Sequence, residues 1–367
     1  MIHRSSNRGF TLLELLVAVS VTALLAAMLF NITSQVVTTH GRASGDLETN
    51  QVAQFVLDQI QEDLQCALFK NDGNVWMAAS VLENKNNSGS WSTTFEQNGK
   101  PQALSIRLTD EDWQNQGLQT DEISKANNQG PLSESRFGLG GVWLRFFTQS
   151  RELDPEVENY GGARAIAYQI VRYGLLGDAQ NAQPRYQLFR SDVTEENTLI
   201  AGFNLDPEKG DYVDGDKSDR QSGNIRDPIL LIDNKKSTAF SLAANVIDFG
   251  IRAYLINRSR TGTGYLKQIF PFVENYSAGS GYEMLCSVHP DHATDASKPE
   301  LNAFPEVVDV MIRVLTTEGA SAIAAYERGL VPKPSGFSGS DEEYWWALAE
   351  ENSEVFIRRV RIFSSGI

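Results

Sequence analysis

The sequence predicts an α+β protein: a long N-terminal transmembrane helix that continues as a stem, then a large, mainly antiparallel β head with inserted loops and short helices. Three observations carry this. No Asp, Glu, Lys or Arg occurs from Leu15 to Gly41. Ala53, Val56, Leu57, Ile60, Leu64, Ala67 and Leu68 then fall on one stripe of an amphipathic helix. Beyond them, short apolar runs alternate with clusters of Gly, Asn, Asp, Ser and Pro, the punctuation of strands and turns. The expected organisation is a leader at 1–9, a transmembrane and stem helix at 10–69, and an exported head at 70–367.

The first helix is long enough to cross a bilayer. Phe10 to Ile32 is 23 residues, about 34 Å at 1.5 Å per residue, against a hydrocarbon core of about 30 Å. Before it lies a short polar leader with Arg4 and Arg8 and no acid. The positive-inside bias keeps those arginines cytoplasmic and sends the rest of the chain across in one crossing. A secretory signal would place a small-residue cleavage site after the apolar run, and Ala26-Ala27-Met28 offers only a poor version of it. Gly9 instead stands before the run, where a membrane peptidase could grip a backbone without a side chain. Glu14 lies inside the apolar segment. A charged residue there costs about 2.5–3.5 kcal/mol on insertion scales, so it needs a partner or must snorkel to the cytoplasmic interface.

Past the membrane, the apolar stripe is backed by Gln54, Asp58, Gln61, Glu62 and Gln65. Gly41 and Gly45 predict a flexible joint or melted turn at the bilayer exit, at about 1 kcal/mol each relative to Ala. The stem is expected to end near Phe69, before the turn sequence Asn71-Asp72-Gly73-Asn74. Strands are expected at Ala103 to Thr109, Val142 to Gln149, Ala165 to Tyr173, Tyr186 to Arg190, Val246 to Ile256, Glu306 to Thr316 and Val355 to Phe363. Glu83 to Gly99 and Asn204 to Asp227 lack apolar periodicity and read as loops. Two late helices are expected. Ala320 to Arg328 stops at Gly329, and the capping box Ser340-Asp341-Glu342-Glu343 opens Tyr344 to Asn352.

The ordered set Arg8-Gly9-Phe10-Thr11-Leu12-Leu13-Glu14 resembles the class III leader of type IV pilins and type II secretion pseudopilins. The resemblance implies cleavage after Gly9 by a prepilin peptidase and N-methylation of Phe10. It also implies that the helix is retained as both anchor and assembly element. In that family the freed amine of Phe10 pairs with the carboxylate of Glu14 on a neighbouring subunit. The implied surroundings are inner-membrane lipid, other pilins or pseudopilins contacted through the N-terminal helix, and a head in the periplasm or an exported filament.

The later strand order resembles J-type minor pseudopilins of type II secretion. It runs through Ala165 to Arg172, Tyr186 to Arg190, Asn245 to Phe249 and Phe304 to Val310. The insertion Thr317 to Asn352 departs from that pattern and resembles the pilin-like cassette proteins, type C, of Verrucomicrobia. The leader resemblance covers about a tenth of the chain, and function is inherited mostly from it, since fold analogy alone is a weak warrant.

Composition narrows the remaining classes. The 367 residues are 41% hydrophobic and 22% charged, as in globular proteins. A net charge of -15 argues against nucleic acid as a partner, because phosphate backbones are bound by clustered Lys and Arg. No nucleophile elbow, no H-E-x-x-H helix and no phosphate loop occurs, so an enzyme is not expected.

Two clusters could hold metal. Cys286, His289 and His292 carry zinc- or copper-type donors, but Pro290 disfavours the helix that would align them, and a solvated loop is the simpler reading. Asp214, Asp216 and Asp219 sit in an acidic, glycine-containing stretch that could supply several calcium oxygens but lacks the order of a helix-loop-helix site, so a solvated loop is the simpler reading; that some pseudopilins bind calcium adds slightly to the calcium reading. Cys66 and Cys286 could form a disulfide in an oxidising compartment, or stay as two thiols. The leading function is a minor pilin or pseudopilin, a structural or tip subunit of a filament. The alternative is a membrane-anchored binding module displaying a substrate- or surface-binding head.

Overall fold

The computed structural model describes residues 12–81, 95–96, 100–101, 142–149, 162–174, 184–193, 195–205, 241–257, 264–270, 283–287, 302–327, 329–339, 341–363 and 365–366. Outside them lie Gly9 and Phe10, the expected strand Ala103 to Thr109, His289, His292, Asp214, Asp216, Asp219, and most of the two expected loops. The chain divides into two compact units, Met1–Glu48 and Thr49–Ile367.

One helix, α1 (Leu12–Gln65), runs through both units. No melted turn is found at Gly41 and Gly45, and the helix continues through both glycines. A helix that is already propagating adds one hydrogen bond per residue, so two isolated glycines weaken it without ending it. The helix stops at Gln65, short of the expected end near Phe69. Its last carbonyls are taken by other partners: Leu64 accepts from the Ala67 N–H at 3.1 Å, and Thr148 donates its hydroxyl to the Asp63 carbonyl at 2.8 Å. The main-chain N–H of Gln149 then reaches the Cys66 carbonyl at 3.1 Å. A neighbouring strand thus caps the helix and turns the chain into extended structure.

After α1 come β1 (Leu68–Phe69), β2 (Met77–Val81), β3 (Phe95–Glu96), β4 (Lys100–Pro101), β5 (Val142–Gln149), β6 (Ala163–Gly174) and β7 (Pro184–Val193). A short helix α2 (Glu195–Ala201) precedes β8 (Ser241–Ala244), β9 (Val246–Asn257), β10 (Tyr265–Phe270), β11 (Glu283–Cys286) and β12 (Val307–Leu315). The helices α3 (Thr317–Glu327) and α4 (Asp341–Glu351) lead to β13 (Ser353–Arg361) and β14 (Ser365–Gly366). The six strands expected from Val142 onward are all present, within a few residues of the expected bounds. The turn at Asn71–Asn74 is an Asx turn: Asp72 Oδ1 accepts the Asn74 N–H at 3.0 Å, and Gly73 takes the positive φ of 86°. The expected stop at Gly329 is also found. Its φ is 69°, its N–H reaches Tyr326 O at 2.8 Å, and the Leu330 N–H reaches Ala325 O at 2.9 Å, so both orphan carbonyls are closed.

A six-stranded sheet has the order β11-β2-β5-β6-β7-β8 and a four-stranded sheet the order β10-β9-β12-β13, antiparallel throughout. The chain passes from one to the other at Asn245, between β8 and β9, where a φ of 64° bends the backbone. β1 and β14 pair in parallel, which ties the end of the chain to the segment just after α1. Ala53, Val56, Ile60 and Leu64 of α1 share one core with Phe146, Tyr168, Leu188, Phe249 and Met311. The second unit therefore takes in the C-terminal part of the stem.

One polar cluster lies in that core. Arg190 clamps Asp63 through Nε to Oδ2 at 2.7 Å and Nη2 to Oδ1 at 3.1 Å, and Tyr168 donates its hydroxyl to Oδ2 at 2.5 Å. Arg190 and Arg164 both also reach Asp192 Oδ2, at 2.8 and 3.3 Å. Further polar links join α1 to β13: Arg358 pairs with Asp58 and reaches Gln61 Oε1 at 3.4 Å, and Thr49 donates to Glu354 Oε2 at 3.4 Å.

Candidate functional site

The candidate site is the start of α1. From Leu12 to Val36 the helix has a mean hydropathy of 2.4 over its most apolar stretch and buries none of it within the protein. Leucines, valines and phenylalanine face outward on every side; Phe30 is 79% exposed. Such all-round apolar exposure is costly in water and suits hydrocarbon. The few polar side chains there close on their own helix. Ser20 donates to Leu16 O at 2.8 Å, Thr22 to Ala18 O at 2.7 Å and Thr33 to Leu29 O at 2.8 Å. These i−4 bonds would leave those hydroxyls satisfied in hydrocarbon.

Glu14 occupies the first turn, where the positive end of the helix dipole favours a carboxylate. Its side chain is exposed, in the same stretch that would meet lipid. The structure thus places one acid on the N-terminal turn of an outward-facing apolar helix, in sequence four residues after Phe10.

Of the other candidates read from the sequence, His289, His292, Asp214, Asp216 and Asp219 lie outside the described residues. Among the described residues no group of three or more His, Cys, Asp or Glu could hold a metal ion. Cys66 and Cys286 are separate thiols. Cys286 pairs with Met77 and Met77 with Phe146, so two strand spacings, about 9.5 Å, separate Cys286 from β5, while Cys66 bonds three residues further along β5 at Gln149. A disulfide needs alpha carbons within about 7 Å. Burial pushes the Cys286 thiol above its ordinary range, which keeps it protonated and unreactive.

A surface depression of about 240 Å³ is lined by Lys70, Asp72, Asn74, Trp76, Ala163 and Phe203. Its Asp72 already accepts the Trp76 indole N–H at 2.9 Å, and Trp76 stacks on Phe203 at 5.4 Å. It contains no nucleophile beside a base.

Sequence reasoning missed Asp63 and its partners Tyr168 and Arg190. The available signal was an acid inside an apolar stripe, since Asp63 lies three residues after Ile60 and directly before Leu64.

Compared with known protein families, residues 4–30 match the prokaryotic N-terminal methylation motif. No curated protein and no solved structure matches the chain. The N-terminus therefore carries a prepilin-like leader joined to a single apolar helix suited to membrane anchoring. That motif marks type IV pilin- and pseudopilin-like proteins, a class that is generally structural, processed by prepilin peptidase and assembled with other pilins.

Proposed function

We propose that this protein is a minor pilin or pseudopilin, a structural or tip subunit of a type II secretion or type IV pilus-like filament. The observation that carries it is the pairing of a methylation-motif leader with an outward-facing apolar helix bearing one acid in its first turn. Prepilin peptidase cuts after Gly9, Phe10 is methylated, and the helix stays in the inner membrane with the head on the periplasmic side. Gly9 suits the cut because it leaves the backbone open to an active site. Phe10 then supplies both a new amine and an apolar ring at the cytoplasmic edge. The head-bearing unit Thr49–Ile367 is bulky for the body of a filament packed by repetition, which favours a tip or low-copy place.

Intact-mass and N-terminal peptide measurements on protein recovered from membranes test this. The mature chain should begin at Phe10 with one added methyl group, and Gly9→Val should retain the leader. A mature N-terminus after Ala26 would overturn the reading.

A further inference from the structure

We propose that Asp63 is a positioning residue that pins α1 in one register on the head, fixing which side of the stem faces outward. The apolar contacts cannot do this alone. The stripe Ala53, Val56, Leu57, Ile60 and Leu64 recurs every three or four residues, and hydrophobic attraction is non-directional. A slide of one turn, 5.4 Å, would put Leu57 near the place of Ala53, Ile60 at Val56 and Leu64 at Ile60, with side chains of similar kind against the same sheet.

The polar contacts separate those registers. The Asp63 carboxylate is almost wholly buried and meets a bidentate guanidinium and a phenol on two adjacent strands, while Gln59 approaches Oδ1 at 3.4 Å. After a one-turn slide Gln59 or Ala67 would face Arg190 instead, leaving Arg190 with Asp192 alone and the buried Asp63 carboxylate without its cation. Thr148 adds a second condition, because its hydroxyl meets the Asp63 carbonyl only in this register. A buried ion pair is weak evidence for stability; its best-attested use is choosing one arrangement among several. With Asp63 seated, Phe55 points away from the head and is 56% exposed. The consequence for assembly rests on the pilin reading; the pin itself does not.

Register can be read by crosslinking in the full chain in detergent micelles, with Cys66→Ser throughout to clear the reactive background. Cysteine replaces Arg358 on β13 and, in separate proteins, Gln54, Asp58 or Glu62 on α1. A short bismaleimide should join 358 to 58 and leave 54 and 62 at background, since Asp58 is the native neighbour of Arg358.

The deciding variant combines Asp63→Leu, Tyr168→Phe and Arg190→Met, which removes the cluster without stranding a charge, while Asp192 keeps Arg164. It should fold, yet its crosslinks from 358 to 54 or 62 should rise about tenfold or more, because losing a specific buried pair removes the preference between registers. The milder Asp63→Asn should shift in the same direction. Crosslinks confined to 58 in both variants would overturn the pin. Neither leader cleavage nor filament formation enters the measurement, so its failure and that of the pilin reading are told apart.

Discussion

The main-chain N–H of Asn245 donates to the carbonyl of Tyr186 at 2.7 Å, closing the six-stranded sheet, while its own carbonyl accepts from Leu315 at 2.8 Å in the four-stranded one. A single residue therefore bonds to both sheets at the point where the chain crosses between them, and it does so with a φ of 64°. Asparagine tolerates this left-handed conformation better than other side-chain-bearing residues, whereas a β-branched residue is strongly strained there. Asn245→Val should cost about 1–2 kcal/mol, and Asn245→Gly should stay within about 1 kcal/mol of wild type. Urea unfolding of the full chain in detergent, followed by tryptophan fluorescence, checks both. Equal midpoints for the two variants would show that the backbone at this crossing carries no strain.

The two helices α3 and α4 are joined at their base by a close approach. A β-carbon placed on Gly319 would lie 2.5 Å from the Asn352 β-carbon and 2.7 Å from its carbonyl oxygen. The contact is held by Thr316, whose hydroxyl accepts the Gly319 N–H at 3.0 Å and whose N–H donates to the Asn352 carbonyl at 3.0 Å. In an open helix, Gly to Ala stabilises by about 1 kcal/mol. Here Gly319→Ala should destabilise by about 1–3 kcal/mol through overpacking. Gly336→Ala, where nothing lies within 4 Å, is the matched control and should be near neutral. Thermal midpoints of the two variants separate the explanations.

Alkaline pH should lower the stability of the head through two successive components. Burial pushes the Cys286 thiol above its ordinary value of 9.0. Burial first, and the Asp63 charge second, hold the Tyr168 phenol well above 10.0. Both groups keep their protons in the folded state and lose them more readily when unfolded. Their stabilisation is complete below those ordinary values and declines above them, at roughly 1.4 kcal/mol per pH unit for each group. Stability measured from pH 8 to 11 should fall from about pH 9 and more steeply past about pH 10. Cys286→Ala should remove the first component and Tyr168→Phe should reduce the second, to which Tyr254, also raised by burial, contributes. A flat profile in wild type would contradict the burial of both groups.

Much of this architecture is legible in the sequence wherever a local pattern and the tertiary fold agree. The strands β5, β6, β7, β9, β12 and β13 are rich in β-branched and aromatic residues, and the end of α3 at Gly329 follows from a residue that alone enters a positive φ freely. The elements that escaped are those held by their neighbours. β2 contains Ala78, Ala79 and Ser80, with little strand preference of its own, and exists because β5 and β11 flank it. α2 has the polar start Glu195-Glu196-Asn197 and is anchored by the buried Thr198, which accepts the Ala165 N–H at 3.2 Å. The anchor was readable because its chemistry is local to one helix. The Asp63 cluster was not, since its partners lie 105 and 127 positions away.

The assembly role that the leader resemblance implies for Glu14 makes a prediction opposite to that of a plain anchor. The acid sits in the first turn of a helix that stays outward-facing and predominantly apolar as far as Val36. Replacing it by leucine removes an insertion cost that would reach about 2.5–3.5 kcal/mol for a charge at the helix centre and is smaller near its end. If Glu14 only tolerates its place, Glu14→Leu should hold the protein in the membrane at least as firmly and leave its contacts with other pilins unchanged. If its carboxylate instead receives the freed amine of Phe10 from a neighbour, Glu14→Leu leaves that amine buried without an anion, and the cost of an unpaired charge in a low-dielectric contact falls on assembly alone. The expected outcome is normal membrane fractionation, normal cleavage and methylation, and loss of crosslinks to partner pilins. Glu14→Asp, which keeps the charge on a shorter arm, should recover part of the crosslinking. A Glu14→Leu protein that crosslinks at wild-type level would leave a single-pass tethered head with no assembly role for this acid.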